Sequence, residues 1–473
     1  MKKVNHFLEH FFNPESVAIV GATDKINKLN FRLTHNLVNL GFRGRIYPVN
    51  PNQKEVLGVK AFPRLTDIND KVDLVVSAVP AVKTIDIVRD CASIGVKHLV
   101  IISGGFSEGG QDGRKLHKEI FTFIKKTGLR VLGPNTLSPI NTANNMAISF
   151  NPIKKLTRGG LSLAFQSGFY DPIINWIFPS FNINKILDMG NKMDINELDA
   201  LDYFSKDSDT SVLAMHIESL QGDAVDFFNH LRATSREKPV IILKSGRTLT
   251  GSQIALTHTG NLVNEDDLIF DGMIKQTSAI RAQNIEEFFD LAKAFELLEL
   301  PRGNRIAIIT ISGGEGVMAS DACETNGLRL ADLNNTSGQR LRNLFPPWEI
   351  PLNPFDIGVC MEFHLSDPHR FFSTLAVISE DENVDCIIMQ MYPFMPSGQT
   401  SLDQNISEKE EYVKMLLSAK KNDKPFALWR SSMNRDEGEW IDLIESNRVP
   451  VFQSAERAIK ALSAMYRYKM RHS

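Results

Sequence analysis

The chain has little that would tie it to a metal, a membrane or a nucleic acid. Its 473 residues include four cysteines, Cys91, Cys323, Cys360 and Cys386, far apart and without a CxxC pair. That spacing suggests neither a zinc site nor a disulfide framework. No uninterrupted apolar run approaches the roughly 20 residues that a membrane-spanning helix needs. The N-terminal MKKVNHFLEHFF is broken by Asn5, His6, Glu9 and His10, so no secretory signal is expected. A net charge of −3 offers no electrostatic footprint for nucleic acid or anionic lipid. Low-complexity tracts and flexible linkers are lacking too. What is there is 42% hydrophobic and 23% charged, ordinary for domains that each bury a core. The composition reads as a cytoplasmic, reduced, multidomain protein without a metal site.

Short Val- and Ile-rich runs recur along the chain, separated by helical patterns. Before residue 136 they are Ser16–Ala22, Arg45–Asn50, Val72–Val79, His98–Ser103 and Arg130–Asn135. They are mostly apolar rather than alternating, as strands buried on both faces should be. A second series runs through Leu161–Phe165, Ile183–Gly190, Ser211–Glu218, Pro239–Ser245 and Ser278–Ala282, closing with the amphipathic IEEFFDLAKAFELL. A third opens with RIAIITISGGEG from Arg305 and continues through Val384–Pro393, Lys424–Arg430 and Val449–Gln453. Alternating strand and helix implies parallel, doubly wound sheets. The fold class expected is therefore α/β, three consecutive doubly wound domains at 1–150, 151–300 and 301–473. The first is Rossmann-like and the other two are flavodoxin-like. The proline-bearing segment from Asn334 to Glu362 is the best loop candidate.

Ligands of such sheets collect at the carboxyl ends of the strands. Those ends here read GATD, YPVNP, AVPA, SGGFSE and LGPN in the first block, then QSG, GNK and MHIE in the second. The GATD turn has Thr23 and Ile26 where a dinucleotide fingerprint needs glycines, which weakens an NAD-linked oxidoreductase reading. Lys192 is the cation of the GNK end, and Glu218 closes its strand two residues after His216. A carboxylate in that place suits fixing the tautomer of a nucleophilic histidine. The tetrapeptide Thr257-His258-Thr259-Gly260, ahead of the acidic Glu265-Asp266-Asp267, has what a transient phosphoryl carrier needs. It combines an imidazole nucleophile, small neighbours and a following helix N-terminus.

Taken in order, GATD, YPVNP, AVPA, ISGGF, LGPN, QSG, GNK, the IE strand end and THTG resemble the nucleoside-diphosphate-forming acyl-CoA synthetases. The likeness is to the α chain of succinyl-CoA synthetase and, more closely, to the α subunit of ADP-forming acetyl-CoA synthetase, whose third block corresponds to ITISGGEGVMASDACE. The resemblance implies His258 as the phosphohistidine and Glu218 as the carboxylate that positions it, with Thr259 and Gly260 cradling the phosphate. It implies Ser167 and Gly168 as a phosphate site at a helix N-terminus. Gly21, Thr23, Asn50, Pro51, Val79, Pro80 and Ala81 correspond to the coenzyme A cleft, and Asn135 to its thioester end. Phe165, Phe169, Tyr170 and Thr136 stand where the family usually has Ser, small residues and Cys. The three aromatics are expected to shape the pocket for a small carboxylic acid.

The activity implied is ligation of an acid to CoA, coupled through acyl phosphate and phosphohistidine to ATP, ADP and inorganic phosphate. No Walker A run is present. The resemblance therefore places ATP, ADP and Mg²⁺ on a separate ATP-grasp β subunit, in an α2β2 assembly. The alternative is a catalytically inactive CoA-binding regulatory or scaffold protein of the same fold.

Overall fold

The Val/Ile runs form parallel strands buried on both faces, and residues at the ends of the runs turn out into loops. In the computed structural model the described residues are 4–259, 267–344, 351–359, 368–391, 406–420, 423–430 and 438–472. They belong to two compact units, Met1–Asn284 and Ile285–Ser473.

The first unit holds two sheets. One contains β1 (Ser16–Val20), β2 (Arg45–Val49), β5 (Leu74–Ser77), β6 (His98–Ile101) and β7 (Arg130–Leu132), and the short hairpin β3 (Glu55–Val56) and β4 (Val59–Lys60) stands apart from it. The other contains β8 (Ile140–Asn141), β9 (Met146–Ala147), β10 (Arg158–Phe165), β11 (Ile183–Asp188), β12 (Val212–Ile217), β13 (Val240–Lys244) and β14 (Ile280–Ala282). Strands β8 and β9 form an antiparallel hairpin that extends this second sheet at β11. The second unit holds β15 (Arg305–Thr310), β16 (Arg329–Leu330), β17 (Phe355–Asp356), β18 (Cys386–Gln390), β19 (Phe426–Trp429) and β20 (Val451–Phe452). The five principal parallel strands of each sheet, counted in chain order, run 2-1-3-4-5. That order puts a switch point beside the first strand, where neighbouring loops diverge and leave a crevice.

Helices begin where side chains supply the missing acceptors. Asn196 Oδ1 accepts from the N–H groups of Leu198 and Asp199 at 2.9 and 3.3 Å, and Asp199 returns a bond to the Asn196 N–H, starting the helix Glu197–Lys206. Asp223 starts Ala224–Glu237 in the same manner. The helix after β1 spans Phe31–Asn39 and buries Leu33 and Leu37, whereas Leu29 lies ahead of it and is exposed.

The helix Ile285–Leu297, read as closing the second block, packs against the last helix, Ala455–Met470. Arg457 grips Asp290 through two bonds of 2.5 and 2.9 Å, and Phe295 meets Tyr468 edge-on. The segment read as a loop contains the helix Asn335–Arg342, capped by Asn334 Oδ1, and the strand β17. A capped polar helix shows no apolar stripe, so periodicity does not find it.

Candidate active site

Register sets the floor of the site. Across the second sheet Phe165 pairs with Asp188 on one side and with His216 on the other, so the ends of β10, β11 and β12 are level. Gln166 and Met189 leave the sheet next, and on β12 Glu218 leaves it one residue later, after Ile217. The Gln166 side chain joins two of these ends. Its Oε1 accepts from the backbone N–H groups of Glu218 (2.8 Å) and Ser219 (3.1 Å), and its Nε2 donates to Ser219 Oγ. Lys244 adds a bond of 2.7 Å to the Glu218 carbonyl. Glu218 is thereby held at the tip of β12 by its backbone, and it is buried.

His258 and Thr259 lie in the last turn of the helix Leu249–Thr259, and Gly260 lies outside the described residues. The expected loop ahead of a helix is corrected here to a helix carboxyl end, because Thr248 caps this segment and starts it early. Its Oγ1 accepts from the Gly251 N–H at 3.1 Å, and its carbonyl accepts from Ser252 Oγ. The carboxyl end of a helix carries the negative pole of the dipole, so this helix gives no support to a phosphate at its last turn.

Ser167 and Gly168 stand at the end of β10, where Ser167 precedes a 3₁₀ turn, Gly168–Ile173, and then the helix Ile174–Ser180. The turn replaces the expected α-helical N-terminus because Pro172 sits inside it. Of the three aromatics, Phe165 and Tyr170 are fully buried and stack at 4.8 Å with nearly parallel rings. Tyr170 donates to the Leu137 carbonyl. Phe169 is half-buried, edge-on to both Phe165 and His216 at 5.2 and 5.0 Å.

Three groups were not singled out by sequence. Asp188 is fully buried, and its oxygens accept from the N–H groups of Leu137 and Gly190, both at 3.0 Å. Burial pushes its carboxyl up to about 7 against those two bonds. A strand-end Asp in an apolar run (ILDMG) is the signal that could have found it. Gln166 is the second, and Asn191 is the third. His216, beside them, is buried with Nε2 2.6 Å from Ser245 Oγ, and burial lowers its pKa to about 3. It is held neutral. Lys192 is wholly buried and paired with Glu197 at 2.8 Å, so its carboxylate partner lies within the chain.

The first sheet gathers its predicted residues along one edge. Gly21 has φ of 91°, and a Cβ there would lie 2.9 Å from the Ala78 carbonyl oxygen and 3.3 Å from Val79. Only glycine fits. Asn50 Nδ2 donates to the Ala22 carbonyl at 2.7 Å, while Thr23 Oγ1 accepts from the Lys25 N–H. Pro51 follows Asn50 at the end of β2 and is exposed. Pro80 precedes the helix Ala81–Ser93, whose free N–H groups open on this edge. The loop after β7 turns toward the second sheet: exposed Asn135, at φ of 60°, reaches Asn191 Oδ1 at 3.5 Å. Thr136 and Ser138 both donate to the Asp188 carbonyl. Among the described residues no group of His, Cys, Asp and Glu could hold a metal ion, and no helix is long and apolar enough to cross a membrane.

Family models match in sequence: a CoA binding domain at residues 15–141, a succinyl-CoA ligase like flavodoxin domain at 158–295 and a ligase-CoA domain at 306–472. The chain is 32% identical to the ADP-forming acetate–CoA ligase I subunit alpha of Pyrococcus furiosus, covering 98% of this chain and 97% of that one. It is also 32% identical to the ADP-forming acetate–CoA ligase II of Archaeoglobus fulgidus, covering 98% of this chain and 67% of that protein. Among solved structures, the dinucleotide forming acetyl-coenzyme A synthetase 1 of Ca. Korarchaeum cryptofilum, in complex with phosphate and ADP, superposes with a TM-score of 0.85. The identity is 29%, over 98% of this chain and 97% of that one.

Proposed function

Because the chain belongs to the family of ADP-forming acid–CoA ligases with a succinyl-CoA ligase like flavodoxin domain, we propose that it is the α subunit of such an enzyme, interconverting acyl-CoA, ADP and phosphate with a carboxylic acid, CoA and ATP. The observation that carries the reading is the Gln166 clamp. It ties the Ser167–Gly168 end of β10 to the Glu218 end of β12. A phosphate-loop candidate and the acid that serves a phosphoryl carrier thus share one rigid frame.

In this reading His258 accepts the phosphoryl group from acyl phosphate and passes it to ADP. Glu218 orients the imidazole and stabilises its cationic form. Ser167, Gly168 and Gly260 hold the phosphate. The N–H groups of loops do most of this work, since phosphoryl transfer depends chiefly on positioning and charge neutralisation. Gly21, Thr23, Asn50, Pro51, Val79, Pro80 and Ala81 bind CoA along the first sheet's edge, with Asn135 toward the thioester. The Phe165–Tyr170 stack fills volume beside the Gln166-Ser167-Gly168 loop and leaves Phe169 as the ring that meets the acid. The acid is therefore small.

A cytoplasmic ATP-grasp β subunit supplies Mg²⁺ and nucleotide, in an α2β2 enzyme. The test is reconstitution. The isolated chain should bind CoA yet form no acyl-CoA from ATP and acid, and addition of the β subunit should restore synthesis. Robust synthesis by the isolated chain would rule out the split-subunit arrangement.

A further inference from the structure

A buried amide donor without an acceptor lies at the junction of the two ligand edges. Asn191 is 3% exposed, and its Nδ2 is hidden from water with no partner among the described residues. Its backbone is fixed: the Asn191 N–H donates to the Pro134 carbonyl at 2.8 Å, and the Met193 N–H to the Gly133 carbonyl at 2.9 Å. Gly190, at φ of 56°, lies so close to Pro134 that a Cβ would fall 2.2 Å from its carbonyl oxygen. Asn191 Oδ1 receives Asn135 Nδ2, which orients the amide and leaves Nδ2 as the open donor.

Its neighbourhood is unusual in the same way. Ser103 Oγ and Glu108 Oε2 are likewise buried without a partner among the described residues. Both belong to the loop after β6, which Asn135 touches through its N–H bond to the Ser103 carbonyl at 3.0 Å. Native proteins leave few buried polar groups unmatched, and a cluster of them marks a place completed by something else.

The position of Asn191 says what completes it. On one side stands Asn135, exposed at the edge that takes CoA. On the other, Asp188 spans the short distance to the phosphate loop: its Oδ1 accepts from the Gly190 N–H at 3.0 Å, and its Oδ2 lies 3.8 Å from a Cβ placed on Gly168. The atom that passes between a thiol and a phosphate is the acyl carbon. We propose that Asn191 is a catalytic residue of the acyl-transfer step, its side-chain N–H donating to the acyl carbonyl oxygen. The assignment rests on the ligase reading above.

In that step a phosphate oxygen attacks the thioester carbonyl carbon, and the carbonyl electrons move onto oxygen as the carbon–oxygen bond forms. Asn191 Nδ2 holds this oxyanion. As it collapses the carbon–sulfur bond breaks, the phosphate proton passes to sulfur, and acyl phosphate and CoA thiol result. A donor already in place for developing charge needs no reorganisation during the reaction, and removing one such donor typically lowers turnover by about 10²–10³-fold.

The experiment uses the chain reconstituted with its β subunit, as wild type, Asn191→Ala and Asn191→Asp. The aspartate keeps the shape and the acceptor for Asn135 but loses the donor. Three quantities are read: thiol released from acetyl-CoA, or from the best substrate of a short acyl-CoA panel, on addition of inorganic phosphate; labelling of His258 by ATP; and CoA affinity. Thiol release is expected to fall by about 100-fold or more in both variants, with labelling and CoA affinity within threefold of wild type. A fall of less than tenfold in thiol release overturns the role of Asn191. So does a parallel loss of labelling in both variants, which would reduce Asn191 to a structural part of the loop. Wild-type protein that neither takes label nor releases thiol would overturn the ligase reading and this assignment with it.

Discussion

The second and third sheets share one strand order and one cross-strand device, yet the device is reversed. In the second sheet the glutamine sits at the end of the first principal strand: Gln166, after β10, accepts from the N–H groups of Glu218 and Ser219 at the end of β12. In the third sheet it sits on the neighbour: Gln390, ending β18, accepts from the Ile311 N–H at 2.7 Å and from Thr310 Oγ1 at 2.9 Å, at the end of β15. Both bonds close the crevice between adjacent parallel strands. With the glutamine on β10, the end of β12 is free to carry a carboxylate. With it on β18, that place is taken by the amide itself. The same fold thus holds an acid in one copy and only a strut in the other. Fold alone assigns chemistry to neither.

The largest effect that would break this contrast is at His258. In the reconstituted enzyme His258→Ala should abolish labelling by ATP while CoA affinity stays near wild type. Label retained in that variant would move the carrier elsewhere, with His216 the next candidate although Ser245 occupies its Nε2.

Next in size is Glu218→Gln, which preserves volume and removes charge. Phosphorylation should slow by about 10²-fold, the lower end of what a positioned acid–base group contributes, with an unchanged melting temperature. A fall in melting temperature that matched the rate loss would point to packing instead.

The paired variants Gln166→Ala and Gln390→Ala test the reversal directly. Each removes the acceptor of buried donors and should cost about 1–3 kcal/mol of stability, read by denaturant unfolding. Only Gln166→Ala should slow phosphorylation beyond that shared loss. Equal rate effects from both would make the two clamps equivalent and the contrast empty.

A last effect sharpens the contrast through pH. Asp188 ends the second principal strand of the second sheet, whereas the corresponding strand of the third, β16, ends in Leu330. The carboxyl of Asp188 faces Asp171, the Tyr170 hydroxyl and the Thr136 hydroxyl, with the N–H groups of Leu137 and Gly190 bonded to it. Its pKa is raised from 3.8 to about 7 by burial. The folded chain therefore binds this proton more tightly than the unfolded chain. The contribution is full below pH 3.8 and is lost as pH rises through about 7. One such proton gives a slope of at most about 1.4 kcal/mol per pH unit. Asp188→Asn should flatten the fall in stability between these limits, as measured by unfolding at a series of pH values. An unchanged slope would place the titration elsewhere.

Much of the fold was legible because parallel strands buried on both faces must be apolar throughout, and runs such as SVAIVGA and PVIILKS satisfy nothing else. The helix Asn335–Arg342 was not, since it is held by a cap and lacks an apolar stripe. In the site, Glu218 and Ser167 were legible as polar residues closing apolar runs. Asp188 closes one too, inside LDMG, but only the register beside Phe165 makes it part of the floor. Asn191 lies in the GNK strand end, where ligands were expected, but nothing in its type marked it out within that end. Its importance is an unmatched N–H, and that is a property of its surroundings.

Local sequence determined the strands, their order of appearance and the polar tips where ligands gather, because strand burial and turn chemistry are imposed by neighbouring residues along the chain. Tertiary structure decided which tips meet. The bond of Tyr170 to the Leu137 carbonyl, that of the Asn191 N–H to the Pro134 carbonyl, and the reversed glutamine clamps all depend on groups brought together from distant segments. Burial, hydrogen-bond satisfaction and shifted proton affinity exist only once those segments have excluded water between them.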